Sequence, residues 1–451
     1  GVSDDRKNEI VSSINGKVVG SINGVNQWQV EVGTNDTNGL KEICNGLMNL
    51  QEIVYADFDR ITNVSNDIVA NDPYKNADGG DWYLDAINAY SAWNYNGRFN
   101  NINIGIVDNG FDIGHEDLRG KIKFPQQWLE DTNSKEYHGT HVAGIIGAIA
   151  GNEKGITGLL WNSNLYCVDW EPIKKQEWNT QNRLLSALSY TVEAGSKVIN
   201  YSLGQTAVMP NGVTDWSIDY INEIGRKSSV YMYQLLNKGK DFIVVQSAGN
   251  GTSGKNNPDD DKEESNPENV LAVDAINNGY FCSVTEENAF EAKNITKQDI
   301  LDRIIIVGAA QKNEDGNYQQ AVFSNGGKQV DICAPGTKIF STVPWEYGNY
   351  INLDGTSMSA PMVTAVCGMV WSVNSKFTGV DVKDIVCNSY DENIWVWDNP
   401  DGKHTTNDNY RMLNAKLSVE EAIRRTDGTG NIIGRVKEQG TNAPISNREV
   451  K

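Results

Sequence analysis

Four polar residues in this sequence have the side-chain types that covalent hydrolysis needs. They are Asp108 in IVDNGFDIGHEDL, His138 in YHGTHVAG, Asn250 in QSAGNG and Ser357 in GTSMSAPMV. A serine nucleophile needs a base to take its proton, and a histidine base needs a carboxylate to orient it. A side-chain amide can stabilise the oxyanion that forms. The four types therefore fit attack by a serine on an acyl group, provided that folding brings them together.

Each of the four residues also has an ordinary structural explanation. Asp108 could close a turn after a strand, and Asn250 stands before a glycine, as many turn residues do. His138 could cap its helix, and Ser357 could be a helix N-cap. A metal site at His138 and His141 is disfavoured, because the spacing is not HExxH and the sequence shows no third ligand. It is the occurrence of all four together, in this order, that favours chemistry.

The elements that would position these residues alternate between strand and helix. Strand-like apolar runs occur at 102–107, 165–168, 197–201, 242–246 and 303–308, and helical stretches lie at 142–150, 181–194 and 216–238. Near-continuous apolar strands that alternate with helices predict an α/β fold, a parallel β-sheet flanked by helices. In such sheets functional groups gather at the carboxyl ends of the strands. Asp108 and Asn250 follow predicted strands, and His138 and Ser357 begin helices.

Block by block, the chain resembles the subtilases, the subtilisin-like serine proteases. The blocks IVDNGFDIGHEDL, HGTHVAGIIGA, NYSLG, SAGNG and GTSMSAPMV occur in the family's order, and FSNGG at 323–327 and APGTKIFST at 334–342 are further matches. The resemblance covers about residues 82–388. An α/β-hydrolase would instead run Ser, Asp, His and carry a G-x-S-x-G elbow, but here Ser359 stands in place of the second glycine.

The resemblance implies a role for each residue of the quartet. Ser357 is expected to be the nucleophile, and His138 the general base and then the general acid. Asp108 would hold the imidazole tautomer, and the Asn250 amide would donate to the oxyanion together with the Ser357 N–H.

Two short segments are implied as substrate-binding. Ser202, Leu203 and Gly204 match the family strand that pairs with the backbone of an extended peptide. The residues Ser247, Ala248 and Gly249 would, with Gly204, wall the pocket for the residue before the scissile bond. The floor of that pocket falls where the alignment is broken, so the sequence does not predict a side-chain preference.

The family resemblance implies no cofactor for the chemistry, but it points to a structural calcium ion. Asp117 and Asn152 match ligand positions of the family, Asn152 in the loop at 150–158. Lys154 would bring a positive charge near such an ion, so a loop without calcium is the alternative. The insertion at 251–302 contains NNPDDDKEESNPEN, which lacks the D-x-D-x-DG spacing of a calcium loop. Its composition favours a solvated surface loop, with a segment that narrows the cleft or binds cations as the alternative.

The chain is expected to have four parts. Residues 1–65 resemble the propeptide that chaperones subtilases and inhibits them with its tail in the cleft. Their predicted elements are strand material at 18–31, a helix at 37–50 and a strand at 52–61. A separate accessory domain is the alternative. Residues 66–81 read as a linker, with self-cleavage expected between about residues 62 and 70, and 82–428 as the catalytic domain. Residues 429–451 resemble the start of a truncated β-sandwich domain of the carboxypeptidase-regulatory type.

Composition limits the partners and the compartment. The formal net charge of −20 argues against nucleic acid as a partner. The family resemblance implies polypeptide substrates and the chain's own residues 1–65 as partners. No run approaches the ~18 apolar residues of a transmembrane helix. The opening GVSDDRKNEI lacks the pattern of a signal peptide, so secretion or a cell-surface location is expected from the resemblance alone.

The six cysteines form no CxxC pair and are expected to be mostly free and buried, without structural zinc.

Together these features predict a serine endopeptidase made as a self-processing zymogen. A catalytically silent subtilase fold that binds peptides or acts as a surface module is the main alternative, and a hydrolase of small esters is another. The intact quartet argues against a silent fold, because a binding module need not keep all four residues.

Overall fold

The computed structural model describes most of the chain, in two units. The described residues are 4–22, 27–33, 37–50, 53, 56, 72, 81–125, 136–170, 180–204, 217–253, 270–271, 274–391, 393–394 and 410–427. The first unit is Gly1–Asn66 and the second is Asp67–Lys451. Four sequence predictions lie outside the described residues, wholly or for the most part: the strand at 52–61, the linker at 66–81, the acidic run at 256–269 and the domain start at 429–451.

The first unit combines a β-hairpin with two helices. Its elements are α1 (Asp4–Ser13), β1 (Lys17–Ile22), β2 (Gln27–Glu31) and α2 (Thr37–Met48). The predicted strand material at 18–31 forms two antiparallel strands. Helix α2 was predicted, whereas α1 was not, because its apolar residues are few and most of its residues are polar or charged. The apolar residues Ile10 and Val11 of α1 are buried.

The second unit is built on strands and helices that alternate along the chain. Its strands are β3 (Ile102–Asp108), β4 (Ile122–Lys123), β5 (Ser163–Asp169), β6 (Val198–Tyr201), β7 (Ile243–Ser247), β8 (Thr252–Ser253), β9 (Val270–Leu271), β10 (Ile304–Lys312), β11 (Tyr318–Gln320), β12 (Ile332–Pro335), β13 (Ile339–Thr342), β14 (Tyr350–Leu353), β15 (Asn393–Ile394) and β16 (Tyr410–Arg411). Its helices are α3 (Trp82–Ala86), α4 (Ala89–Trp93), α5 (His138–Gly147), α6 (Thr180–Glu193), α7 (Ile218–Asn237), α8 (Lys297–Leu301), α9 (Thr356–Val373), α10 (Gly379–Asn388) and α11 (Ala415–Asp427).

Eight of these strands form one sheet within the described residues. Its order is β11-β10-β7-β6-β3-β5-β4, and β12 also pairs with β10. All pairings are parallel except the one between β10 and β11. Helices cover the sheet, which is why β3 is buried from Ile104 to Asp108. The predicted α/β fold is confirmed, and all five predicted strands and three predicted helices of this region are present.

Helix α9 is the central helix of the second unit. It packs against α5, α10 and α11 and against strands of the sheet. Every residue of α9 is buried except Ser357. By length and composition alone α9 could cross a membrane, contrary to the expectation that no run approaches that pattern, but 94% of it is buried inside the protein. It is therefore packed as a core helix.

The six cysteines are free, as predicted. Five of them are buried and Cys44 is half-buried. Burial raises the pKa of the Cys167 and Cys367 thiols well above the ordinary value. These thiols stay protonated at neutral pH and behave as small apolar side chains.

Candidate active site

Asp108 and His138 form a short hydrogen-bonded pair. Asp108 is the last residue of β3 and is 1% exposed, and His138 is the first residue of α5. His138 Nδ1 lies 2.6 Å from Asp108 Oδ1, which also accepts from the backbone N–H of Asn109 at 2.8 Å. Since an ionised carboxylate only accepts, Nδ1 of the imidazole is the donor in this contact. Nε2 is then the basic nitrogen, and His138 does not cap α5 through its side chain.

Two glycines allow the two chain segments to approach this closely. The Gly139 N–H donates to Asn109 O at 2.6 Å, and a Cβ at position 139 would lie 2.8 Å from that oxygen. Gly110 has a φ of 72°, and a Cβ there would lie 2.0 Å from Glu136 O. Side chains at either position would push the start of α5 away from the end of β3. The glycines thus set the distance between Asp108 and His138.

Ser357 is the second residue of α9 and is not an N-cap. The N-cap position is Gly355, and no side chain caps the helix. The Ser357 hydroxyl instead donates to Ser202 O at 3.2 Å. Ser357 is half-exposed, while the remainder of α9 is buried. The alternative explanation of Ser357 as a helix N-cap is therefore wrong.

The carbonyl of Ser357 has an unusual partner. Pro361, four residues further along α9, has no N–H to donate to it. The Ser202 hydroxyl donates to Ser357 O instead, at 2.8 Å. Ser202 Oγ accepts in turn from Asn200 Nδ2 at 2.9 Å, and Asn200 Oδ1 accepts from the Thr364 hydroxyl at 3.0 Å. Ser202, Asn200 and Thr364 are all buried, so this chain of hydrogen bonds holds the first turn of α9 against the end of β6.

The side-chain amide of Asn250 is oriented by the first residue of α9. Asn250 Oδ1 accepts from both the backbone N–H and the hydroxyl of Thr356, each at 2.8 Å. Its Nδ2 therefore faces Gly355. A Cβ at Gly355 would lie 3.1 Å from Asn250 Nδ2 and 3.6 Å from the backbone N of Ser357. The two donors thus flank the same small volume, which only a glycine leaves open.

The two segments predicted to bind substrate lie side by side. The first segment, made of Ser202, Leu203 and Gly204, directly follows β6. The second begins with Ser247, the last residue of β7, and continues with Ala248 and Gly249. Strands β6 and β7 pair in parallel. Asn325, in the FSNGG block, fixes the second segment. Its Nδ2 donates to Ala248 O and its backbone N–H to Gly249 O, both at 2.9 Å. No role was predicted for Asn325 from the sequence, although it lies in the FSNGG block that matches the family.

The residues expected to hold calcium bind each other instead. Asn152 Nδ2 donates to Asp117 Oδ1 at 2.8 Å, so it presents its amino group rather than its oxygen. Asp117 Oδ2 accepts from Ile156 N–H at 2.9 Å and from the Tyr350 hydroxyl at 3.0 Å. Burial raises the pKa of Asp117, against the effect of these hydrogen bonds. Donors thus face both carboxylate oxygens where a cation would be expected.

A second carboxylate, Asp72, organises the same loop. It accepts from the backbone N–H groups of Gly151 at 2.9 Å and Asn152 at 3.1 Å, and from the Thr157 hydroxyl. The Lys154 ammonium forms an ion pair with Glu116 at 3.1 Å. Within the part of the chain that is described, no cluster of three or more His, Cys, Asp or Glu side chains could hold a metal ion. The expected calcium ligands therefore do not fit calcium in this arrangement.

His141 has a structural role that is separate from His138. It is fully buried, and its Nε2 donates to Ile351 O at 3.2 Å. Burial lowers its pKa to about 3, so the ring is neutral. The two histidines of HGTHVAG therefore do not act as a metal-binding pair.

Comparisons with known proteins match this geometry to a family. The subtilase family model matches residues 100–422. The chain is 29% identical over 288 residues to a thermophilic serine proteinase from Bacillus sp. (strain AK1), covering 62% of this chain and 55% of that protein. It is 28% identical over 277 residues to subtilisin DY from Bacillus licheniformis, covering 60% and 77%. Subtilisin-like protease 2 of Plasmodium falciparum (isolate 3D7) is 25% identical over 327 residues, covering 69% of this chain and 20% of that protein.

A solved structure supports the fold. Fervidolysin from Fervidobacterium pennivorans, a keratinolytic enzyme related to subtilisin, superposes with a TM-score of 0.50 at 18% identity, covering 93% of this chain and 60% of that chain. The chain spans between a fifth and about half of the length of the thermophilic and Plasmodium proteinases. Because the family model matches well over half of the chain, and the relatives are named as serine proteinases and subtilisins, this chain belongs to the subtilase family.

Proposed function

We propose that this protein is a serine endopeptidase that cuts polypeptides through an acyl-enzyme and is made as a self-processing zymogen. The observation that carries the proposal is the 2.6 Å contact between Asp108 and His138, at the sheet edge where α9 exposes Ser357 alone. A silent peptide-binding fold would need none of this arrangement. The neutral tautomer with its proton on Nδ1 is also the form that a general base requires.

The proposed reaction begins at Ser357. Its hydroxyl turns from Ser202 O towards His138 Nε2 and loses its proton there, while Oγ bonds to the substrate carbonyl carbon. The Asp108 carboxylate stabilises the imidazolium that forms. The Asn250 Nδ2 group and the Ser357 N–H donate to the negative oxygen. The C–N bond then breaks, and His138 gives its proton to the leaving amine. A water molecule repeats the sequence on the acyl-enzyme and restores Ser357.

The substrate is proposed to lie along the segment after β6. Backbone pairing with Ser202, Leu203 and Gly204 would bind an extended peptide with little regard for most of its side chains. We also propose that residues 1–65 are an inhibitory propeptide, that the enzyme acts outside the cell or at its surface, and that no metal takes part in the chemistry. The α+β hairpin unit at the start of the chain supports the propeptide proposal.

An intact-mass time course tests the proposal. The natural chain is incubated beside Ser357→Ala and a control, Ser372→Ala, which removes a buried hydroxyl at the other end of the same helix. We expect the natural chain and the control to release an N-terminal fragment that ends between about residues 62 and 70, and Ser357→Ala to stay whole.

Two other outcomes would contradict the proposal. If all three proteins are cut alike, a foreign protease is responsible, and self-processing is refuted. If none is cut, trace protease is added to remove residues 1–65. A protein that then still fails to hydrolyse peptides is a silent fold, and one that hydrolyses only small esters is the esterase alternative.

A further inference from the structure

The two segments that are proposed to wall the substrate pocket share a floor that the sequence did not reveal. It comes from the part of the insertion that follows the acidic run, where two short 3₁₀ helices cover Ala275–Asn278 and Tyr280–Ser283. Tyr280, Phe281 and Cys282 are buried. The Phe281 ring packs edge-on against Tyr201, the last residue of β6, and Cys282 Sγ contacts Ser247 O at the end of β7. This segment is thus part of the core and is not a solvated loop.

Gln246 fixes the floor to both walls. This buried residue of β7 accepts, through Oε1, from the backbone N–H groups of Phe281 at 2.9 Å and Cys282 at 3.2 Å. Its Nε2 donates to Leu203 O at 3.1 Å, in the wall that follows β6. The floor and the walls are therefore held in register by a single side chain.

Asn278 stands on this floor, between the walls. Its Nδ2 donates to Ser247 O at 2.7 Å. A Cβ added at Gly204 would lie 1.8 Å from Asn278 Oδ1 and 2.2 Å from its Cγ. A Cβ added at Gly249, on the opposite wall, would lie 2.7 Å from Oδ1 and 2.8 Å from Cγ. One carboxamide therefore touches the glycines of both walls and fills the space between them.

We propose that Asn278 is a specificity-determining residue that restricts the position before the scissile bond to small side chains, namely Gly, Ala and Ser. This inference rests on the proposed endopeptidase function. A Leu or Phe side chain could enter only by displacing the carboxamide. That displacement would break the hydrogen bond from Asn278 Nδ2 to Ser247 O. Both groups would then lie unpaired against an apolar side chain, which is unfavourable.

The test compares peptides that differ only in the residue before the scissile bond. Ala and Phe peptides with a fluorogenic leaving group are assayed with the processed natural enzyme, Asn278→Ala and Asn277→Ala. Asn277 lies on the same turn, so its variant is a matched control for folding. We expect the natural enzyme and the control to prefer Ala by at least about tenfold in kcat/KM, and Asn278→Ala to raise kcat/KM for Phe by about 10–100-fold with little change for Ala.

The outcomes separate this inference from the function on which it rests. A natural enzyme that cleaves the Phe peptide as fast as the Ala peptide overturns the role of Asn278 but leaves the endopeptidase intact. An unchanged Ala/Phe ratio in Asn278→Ala, with both peptides hydrolysed, also overturns it and leaves Asn278 as a structural brace. If processed enzyme hydrolyses neither peptide and Ser357 fails to react with a fluorophosphonate, the proposed function fails, and this inference fails with it.

Discussion

Replacing Ser202 by alanine tests whether Ser357, the proposed nucleophile, is held in place by the segment that follows β6. The Ser202 hydroxyl donates to Ser357 O and accepts from Asn200 Nδ2, at 2.8 and 2.9 Å. Because Pro361 has no N–H, the usual α-helical donor to Ser357 O is missing from α9. The variant keeps the backbone of Ser202, so its carbonyl still accepts from the Ser357 hydroxyl. Only the hydroxyl of residue 202 is lost.

The expected loss in the free energy of unfolding follows from two groups, Ser357 O and Asn200 Nδ2, that lose their hydrogen-bond partner. A buried polar group left without a hydrogen bond costs about 1–3 kcal/mol, so two such groups cost about 2–6 kcal/mol, with the lower end expected if water enters. The first turn of α9 is also released, and a displacement of about 1 Å at a nucleophile can lower the rate by about 10²-fold. We therefore expect Ser202→Ala to lose both stability and kcat.

Two measurements check this expectation. Denaturant unfolding is followed in a Ser357→Ala background, which prevents self-digestion, and kcat is measured with a peptide substrate in the otherwise natural enzyme. Ser372→Ala is the control, because its hydroxyl bonds to Met369 O within the same helix, and about 1 kcal/mol or less is expected. The reasoning would be refuted by a Ser202→Ala protein whose free energy of unfolding lies within about 1 kcal/mol of the control and whose kcat lies within about twofold of the control.

Three further predictions concern pH, metal and the His138 contact. Burial lowers the pKa of His141 to about 3. Between about pH 6.5 and pH 3, His141 therefore binds a proton in the unfolded chain but not in the folded protein. Stability should therefore fall by about 1.4 kcal/mol per pH unit on acidification in this window, and His141→Gln should remove most of that slope in unfolding experiments at pH 6.5 and 4.5. A chelator should leave the Tm unchanged, because Asp117 already accepts from protein donors, and a Tm drop that calcium reverses would contradict this expectation. Gly139→Ala, with a Cβ 2.8 Å from Asn109 O, should lower kcat by separating His138 from its carboxylate, and unchanged kcat would show that the loop adjusts.

The sequence predicted the elements that carry a strong hydrophobic pattern. The run 102–107 became β3 and the run 303–308 became the start of β10, because strands buried on both faces must be apolar along their whole length. Helix α1 was missed, because it buries little more than Ile10 and Val11, and its polar surface gives a weak periodic signal.

The candidate site was predictable where short blocks carry it, but not where distant segments meet. Asp108 and His138 could be paired from their motifs, and the structure brings them into contact. The position of Asn278 depends on how an insertion folds back beneath β7, which no local pattern specifies. The calcium expectation illustrates a different limit. A motif fixes where Asn152 lies, but not which end of its amide faces Asp117.

The burial of α9 links the candidate active site to the integrity of the core of the second unit. The helix that carries Ser357 contacts the sheet, α5, α10 and α11, so its position depends on the packing of the whole core. A cut in an exposed loop that leaves the core packed is expected to leave that helix, and Ser357 with it, in place. Activity that remains after partial self-digestion would then indicate that the core is still packed. That activity would be lost in a single step when the core unfolds.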